Sequence, residues 1–213
     1  MDTNRSAALA LIGGSLAGLV TMILHPTGHD VITNASTGAA NTLNSAVHLL
    51  SIVAQPLILA GALAVTARLR AGRDLAVTAY VFFALGGVCI IVAAVASGFI
   101  APALLGGMAT ASEAQRAGML ADLRFAGIVN QAFAKVYVTF AGLAIMLWSL
   151  AIMKGREMSR VLAVYGLVAG PILVAGVTAD ILTLDIHGFG AVVLAVGLWM
   201  IWAGRSLLVE SAD

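Results

Sequence analysis

Charge is what this sequence has least of: 11 Lys and Arg and 10 Asp and Glu among 213 residues. With 61% hydrophobic residues and a mean hydropathy of +1.04, the chain has too little polar surface to dress a soluble globule. A net charge of +1 also excludes the clustered basic face that nucleic acid requires. Cysteine is nearly absent. Cys89 stands alone in an apolar run, which excludes an intrachain disulfide and leaves no compartment signal. The zinc-protease signature H-E-x-x-H does not occur either.

What the chain has is six long apolar stretches, at 6–24, 44–67, 75–105, 125–153, 160–182 and 188–209. An α-helix needs about 20 apolar residues to cross about 30 Å of hydrocarbon. The expected fold is therefore all-α, an integral membrane bundle of six transmembrane helices forming a single domain over 1–213. The connectors are too short for an extramembrane domain. The first stretch follows Arg5 as a signal peptide would, but it is long for one and is followed by His25-Pro26-Thr27-Gly28-His29-Asp30 instead of a small-residue cleavage site, so it is read as a span.

Orientation follows from Lys and Arg. Arg5, Arg68, Arg70, Arg73, Lys154, Arg156, Arg160 and Arg205 fall on one side, against Arg116 and Arg124 on the other. The positive-inside rule then puts both termini in the cytoplasm, with the bacterial inner membrane as the expected location. Trp148, Trp199 and Trp202 lie near the basic side and read as an interfacial aromatic belt. On the outer side, Thr110-Ala111-Ser112-Glu113 reads as a capping box that starts a short helix leading into the fourth span. Gly14 and Gly18 form a GxxxG, a surface that admits another helix closely. Pro56 and Pro171 sit in matching Ala/Gly-rich contexts in spans two and five, the pattern an inverted-repeat transporter would show.

The first-helix run Ile12-Gly13-Gly14-Ser15-Leu16-Ala17-Gly18 and the segment from Met158-Ser159-Arg160 through Tyr165-Gly166 to Ala169-Gly170 resemble those of uncharacterised six-transmembrane bacterial membrane-protein families of unknown function. That resemblance implies the six-span fold and carries no activity or functional residues.

The polar residues gather at one side. His25, His29, His48 and His187, with Asp30, Asp180 and Asp185, all map to the outer end, and these are ligand types suited to Zn, Cu, Fe or Ni. In span two, Asn44, His48, Ser51 and Gln55 are spaced four, three and four residues apart, which puts them on one helical face that cannot tolerate lipid. Span four offers Asn130, Gln131 and Lys135 as a facing stripe. Counted from the outer end of that span, Lys135 lies roughly 15 Å into the membrane with no carboxylate beside it.

Three functions fit these residues. The first is an outer-facing pocket for a metal ion, haem or a small polar ligand, with His48 and His187 as haem's axial imidazoles. The second is a small secondary transporter with a mid-membrane site at Lys135 and Gln55. The third is a metal-dependent intramembrane hydrolase with three histidines and an open zinc position, which loosely resembles the alkaline-ceramidase type in its use of histidines, an aspartate and a serine. The partners expected are the lipid bilayer, a small ligand or ion, and a second copy of the chain as a homo-oligomer.

Overall fold

The computed structural model describes residues 3–26 and 38–209. It is all-helical, and no strand occurs among the described residues. The helices are α1 (Thr3–Leu24), α2 (Ala39–Arg68), α3 (Arg73–Val95), a π-helical segment (Ala96–Ile100) continuing into α4 (Ala101–Gly107), α5 (Glu113–Gly155), α6 (Arg160–Thr178) and α7 (Ile186–Val209). Counting α3 through α4 as one unit, six helices are long and apolar enough to cross a membrane. Their outward faces carry exposed Val53, Leu57, Val81, Leu85, Val88, Val161, Val168 and Ile172, as lipid-facing surfaces would. The chain is thus consistent with a multi-pass membrane protein.

The helices close into a ring. α1 packs between α2 and α7, α2 on α3, α3 on α5, and α5 on α6, while α7 returns to touch α6, α2 and α5. Missing side chains set the close approaches. A Cβ on Gly61 would stand 2.3 Å from the Leu11 Cβ, and one on Gly14 would stand 2.7 Å from Ile58, so α1 and α2 meet through glycine on both sides. Gly18, the other half of the GxxxG, has nothing nearer than Val193 at 3.9 Å and lines open space instead.

The tryptophans are not a belt. Trp148 and Trp199 are fully buried and stack with centroids 5.4 Å apart, while Trp202 is partly exposed. Each indole has a partner: Trp148 donates to the Thr66 hydroxyl at 3.0 Å and Trp199 to the Ser149 hydroxyl at 3.2 Å. Burial satisfies the one polar atom of each ring, so an interfacial position is not required.

Two boundaries differ from the sequence expectation. α5 starts at Glu113 and runs unbroken to Gly155, so the short outer helix and the fourth span are one rod of 43 residues. Its capping box is Ser112 with Gln115, two residues later than the Thr110 pattern. The Ser112 hydroxyl takes the Gln115 N–H and the Gln115 amide oxygen takes the Ser112 N–H. α6 stops at Thr178 because Asp180 adopts a left-handed backbone, φ 54°, and Ile181 and Leu182 both donate to the Gly176 carbonyl.

Gly61→Val should lower thermal stability in detergent by about 1–3 kcal/mol, because its side chain must displace the Leu11 backbone. Gly13→Val, on an exposed face with nothing within 4 Å, should leave the unfolding midpoint unchanged.

Candidate functional site

α1, α2, α3, α5 and α7 enclose a cavity of about 270 Å³ whose polar lining lies toward the end away from the chain termini. Its lower part is apolar, formed by Ile58, Phe83, Val196 and Met200. Its upper part carries Ser97, His25, His48, Asn130, Gln131 and Asp185. Phe83, which lines the floor, packs on Trp148 at 5.5 Å, and Trp148 stacks on Trp199.

A common level locates the mouth. Twenty residues of helix span about 30 Å, the thickness of the hydrocarbon. Counted from the termini-side ends of the helices, that distance ends at His25 from Arg5, His48 from Arg68, Ala93 from Arg73, Lys135 from Gly155 and Phe189 from Val209. Both cavity histidines therefore stand at the level where the hydrocarbon would end on the side away from the chain termini.

The stripe on α2 faces inward as expected. Asn44, His48 and Gln55 are buried and Ser51 lines the same cavity. The stripe is held in register by the π segment. The Asn44 amide donates to the Ser97 carbonyl at 2.8 Å and the Ser45 hydroxyl to the Gly98 carbonyl at 2.7 Å. His48 lies against Gly98, where a Cβ would be 2.3 Å from the His48 Cβ. On α5, Asn130 donates to the Ala93 carbonyl and Gln131 to the Leu184 carbonyl. The two stripes meet across the cavity, with α3 as the helix between them.

Lys135 does not join them. It is half exposed, lies outside the cavity and forms an ion pair with Asp180 at 2.5 Å. The depth assigned from the sequence failed because α5 continues beyond the hydrocarbon: Lys135 sits at the interface, where a carboxylate from the α6–α7 turn can reach it. The mid-membrane pair of Lys135 and Gln55 is therefore broken up, leaving Gln55.

The seven candidate metal ligands also separate. His25 and His48 come together, with their Nε2 atoms 3.4 Å apart and their rings edge to face. His187 is exposed and does not line the cavity, so it does not oppose His48 as a haem ligand would. Asp180 is taken by Lys135. Asp185 caps α7, accepting the His187 and Gly188 N–H groups at 3.0 and 2.8 Å. His29 and Asp30 lie outside the described residues. Among the described residues no three His, Cys, Asp or Glu side chains gather as a metal would need.

The sequence reading missed α1's contribution. Ser15, Gly18, Met22 and His25 recur at three, four and three residues and all line the cavity, the same signal that marked α2. The buried Ser15 hydroxyl has no hydrogen-bond partner among the described residues, and Gln55 makes none there either.

No family model matches this sequence, and no curated protein or solved structure matches it.

The N–H groups of Gly188 and His187 and the Thr183 hydroxyl hold the Asp185 carboxyl below its ordinary value. A depressed carboxylate stabilises the fold above its unfolded pKa of about 3.9 and loses that contribution as pH falls through the lower folded value. Asp185→Ala should lower the unfolding midpoint at pH 7 and flatten its decline below about pH 4. Asp185→Asn, which can still cap, should keep most of the midpoint at pH 7 while losing the acid dependence.

Proposed function

We propose that this protein is a multi-pass membrane binding protein whose outer-half cavity takes a small ligand with an apolar body and a polar end. The observation that carries this reading is the cavity itself: five helices enclose it, its floor is apolar, Gln55 lines it, and the buried Ser15 hydroxyl in its wall has no partner among the described residues. Unpartnered buried polar groups cost about 1–3 kcal/mol each, which a bound hydroxyl, amine or carbonyl would recover. Volumes of a few hundred cubic ångströms suit such ligands. The termini are assigned to the cytoplasm of a bacterial inner membrane by the distribution of Lys and Arg, so the mouth faces outward.

One observation favours a second reading, a small carrier with Gln55 in its site. The cavity's polar lining lies toward one end and its apolar floor lies toward the tryptophan stack, an asymmetry that a one-sided carrier state would have. Pro56 lies on a helix that lines the cavity whereas α6, which carries Pro171, contributes nothing to it, so symmetry lends this reading no support.

A single experiment addresses both occupancy and side. In a Cys89→Ala background, Ser97→Cys should react with a membrane-impermeant thiol reagent added from the face opposite the termini. Phenol, small enough for the cavity, should slow that reaction severalfold. Gly18→Leu, which fills the open space, should abolish the phenol effect. A Ser97→Cys that reacts only from the terminal face, or is indifferent to phenol, rejects the proposal.

A further inference from the structure

We propose that His25 and His48 form a two-imidazole site for a divalent transition metal of the zinc class at the mouth of the cavity. This deepens the ligand-binding reading, and it rests on that reading only for the open coordination positions, which water or the cavity's ligand would fill.

The first support is the state of the rings. His48 Nδ1 lies 2.7 Å from the Asn44 carbonyl and His25 Nδ1 lies 2.7 Å from the Pro26 carbonyl. A carbonyl only accepts, so each Nδ1 carries the proton. In the tautomer that carries its one proton on Nδ1, each ring turns a lone pair outward from Nε2, and the two Nε2 atoms stand 3.4 Å apart. Two lone pairs face each other across a gap that calls for an electrophile. Backbone carbonyls on the second ring nitrogen are also the usual outer shell of metal-bound histidine.

Distance decides which electrophile. A shared proton would draw the nitrogens to about 2.7–3.2 Å. A water or ammonium bridging at about 2.8 Å from each nitrogen would subtend an angle of only about 75°, too acute for two donated hydrogen bonds. A metal ion about 2.0–2.1 Å from both nitrogens subtends about 110°, the tetrahedral angle of zinc. The rings' edge-to-face arrangement, at 69°, suits two ligands meeting at a corner. Imidazole is a ligand suited to Zn, Cu, Fe and Ni, and the site stands at the interface, where a hydrated ion arrives without crossing hydrocarbon.

The test uses the full-length chain in lipid nanodiscs, purified without a histidine tag and titrated with Co(II) as a spectroscopic stand-in and with Zn(II) as competitor. One Co(II) should bind per chain, with visible absorption of tetrahedral type, and Zn(II) should displace it. His25→Ala and His48→Ala should each weaken binding at least tenfold, while His187→Ala leaves it unchanged. Should His48→Ala fail to fold, His25→Ala alone decides, since His25 stands at the end of α1 and is only partly buried. Absence of a saturable one-ion site, or wild-type affinity in the folded His25→Ala variant, overturns the inference. Phenol protection of Ser97→Cys measured in chelator then shows whether the ligand-binding cavity survives without the metal.

Discussion

The stack of Trp148 on Trp199 is the contact on which the rest of the bundle depends. Through it α2 arrives by Thr66, α3 by Phe83, α5 by Trp148 and Ser149, and α7 by Trp199. α6 is tied to the same point, because a Cβ on Gly166 would stand 2.7 Å from the Trp199 indole nitrogen. Two large rings fill the bundle axis at one level, so that half has no room for a cavity. The smaller residues above them, Ser15, Gly18, Ser51 and Ala134, leave one. The asymmetry of the molecule is thus a difference in side-chain volume along one axis.

A second constraint decides how the open half is built. A buried backbone carbonyl without a partner costs about 1–3 kcal/mol, and the π segment that follows α3 loosens the regular ladder at Ala96–Ile100. Asn44 and Ser45 from α2 take the Ser97 and Gly98 carbonyls, and Asn130 from α5 takes that of Ala93. Interhelical hydrogen bonds of this kind average only about 0.6 kcal/mol in a membrane protein, so they are weak as glue. Their effect here is positional: they fix the rotation of α2, and with it the direction of His48. A π turn beside a cavity is a recurrent association, and in this chain the link is mechanical.

The span count was legible because it depends on length and apolarity alone, and the stripe on α2 was legible because a polar helical face in lipid has one tolerable direction. What the sequence hid was depth and pairing. Lys135 was misplaced because apolarity marks where hydrocarbon can begin, whereas α5 carries Phe125 and Ile128 exposed beyond that level. Trp148 and Trp199 were misplaced because nearness to the basic end fits a belt and a core equally well, and Thr66 and Ser149 as indole acceptors are visible only across helices. His25 stood in the sequence as one of four histidines grouped at one end, and its observed partner, His48, is 23 residues away.

Charge is distributed unevenly around the cavity. Among the described residues no Lys or Arg lines it: Lys135 is paired with Asp180, and Lys135 and Arg124 border an adjoining groove between α5 and the π segment with α4. Beside the histidines stands Asp185, whose carboxyl the backbone N–H groups it caps hold below its ordinary value. The histidines present bare Nε2 atoms, and Ser97, Ser51 and Gln55 are polar without positive charge. A small anion entering this space would leave water for a surface of lone pairs next to a carboxylate. A cation or a neutral hydrogen-bond donor would exchange water for acceptors already oriented by helices that cannot turn without stranding the Ser97 and Gly98 carbonyls. The orientation of the acceptors that line the cavity therefore follows from the same hydrogen bonds that set the rotation of α2.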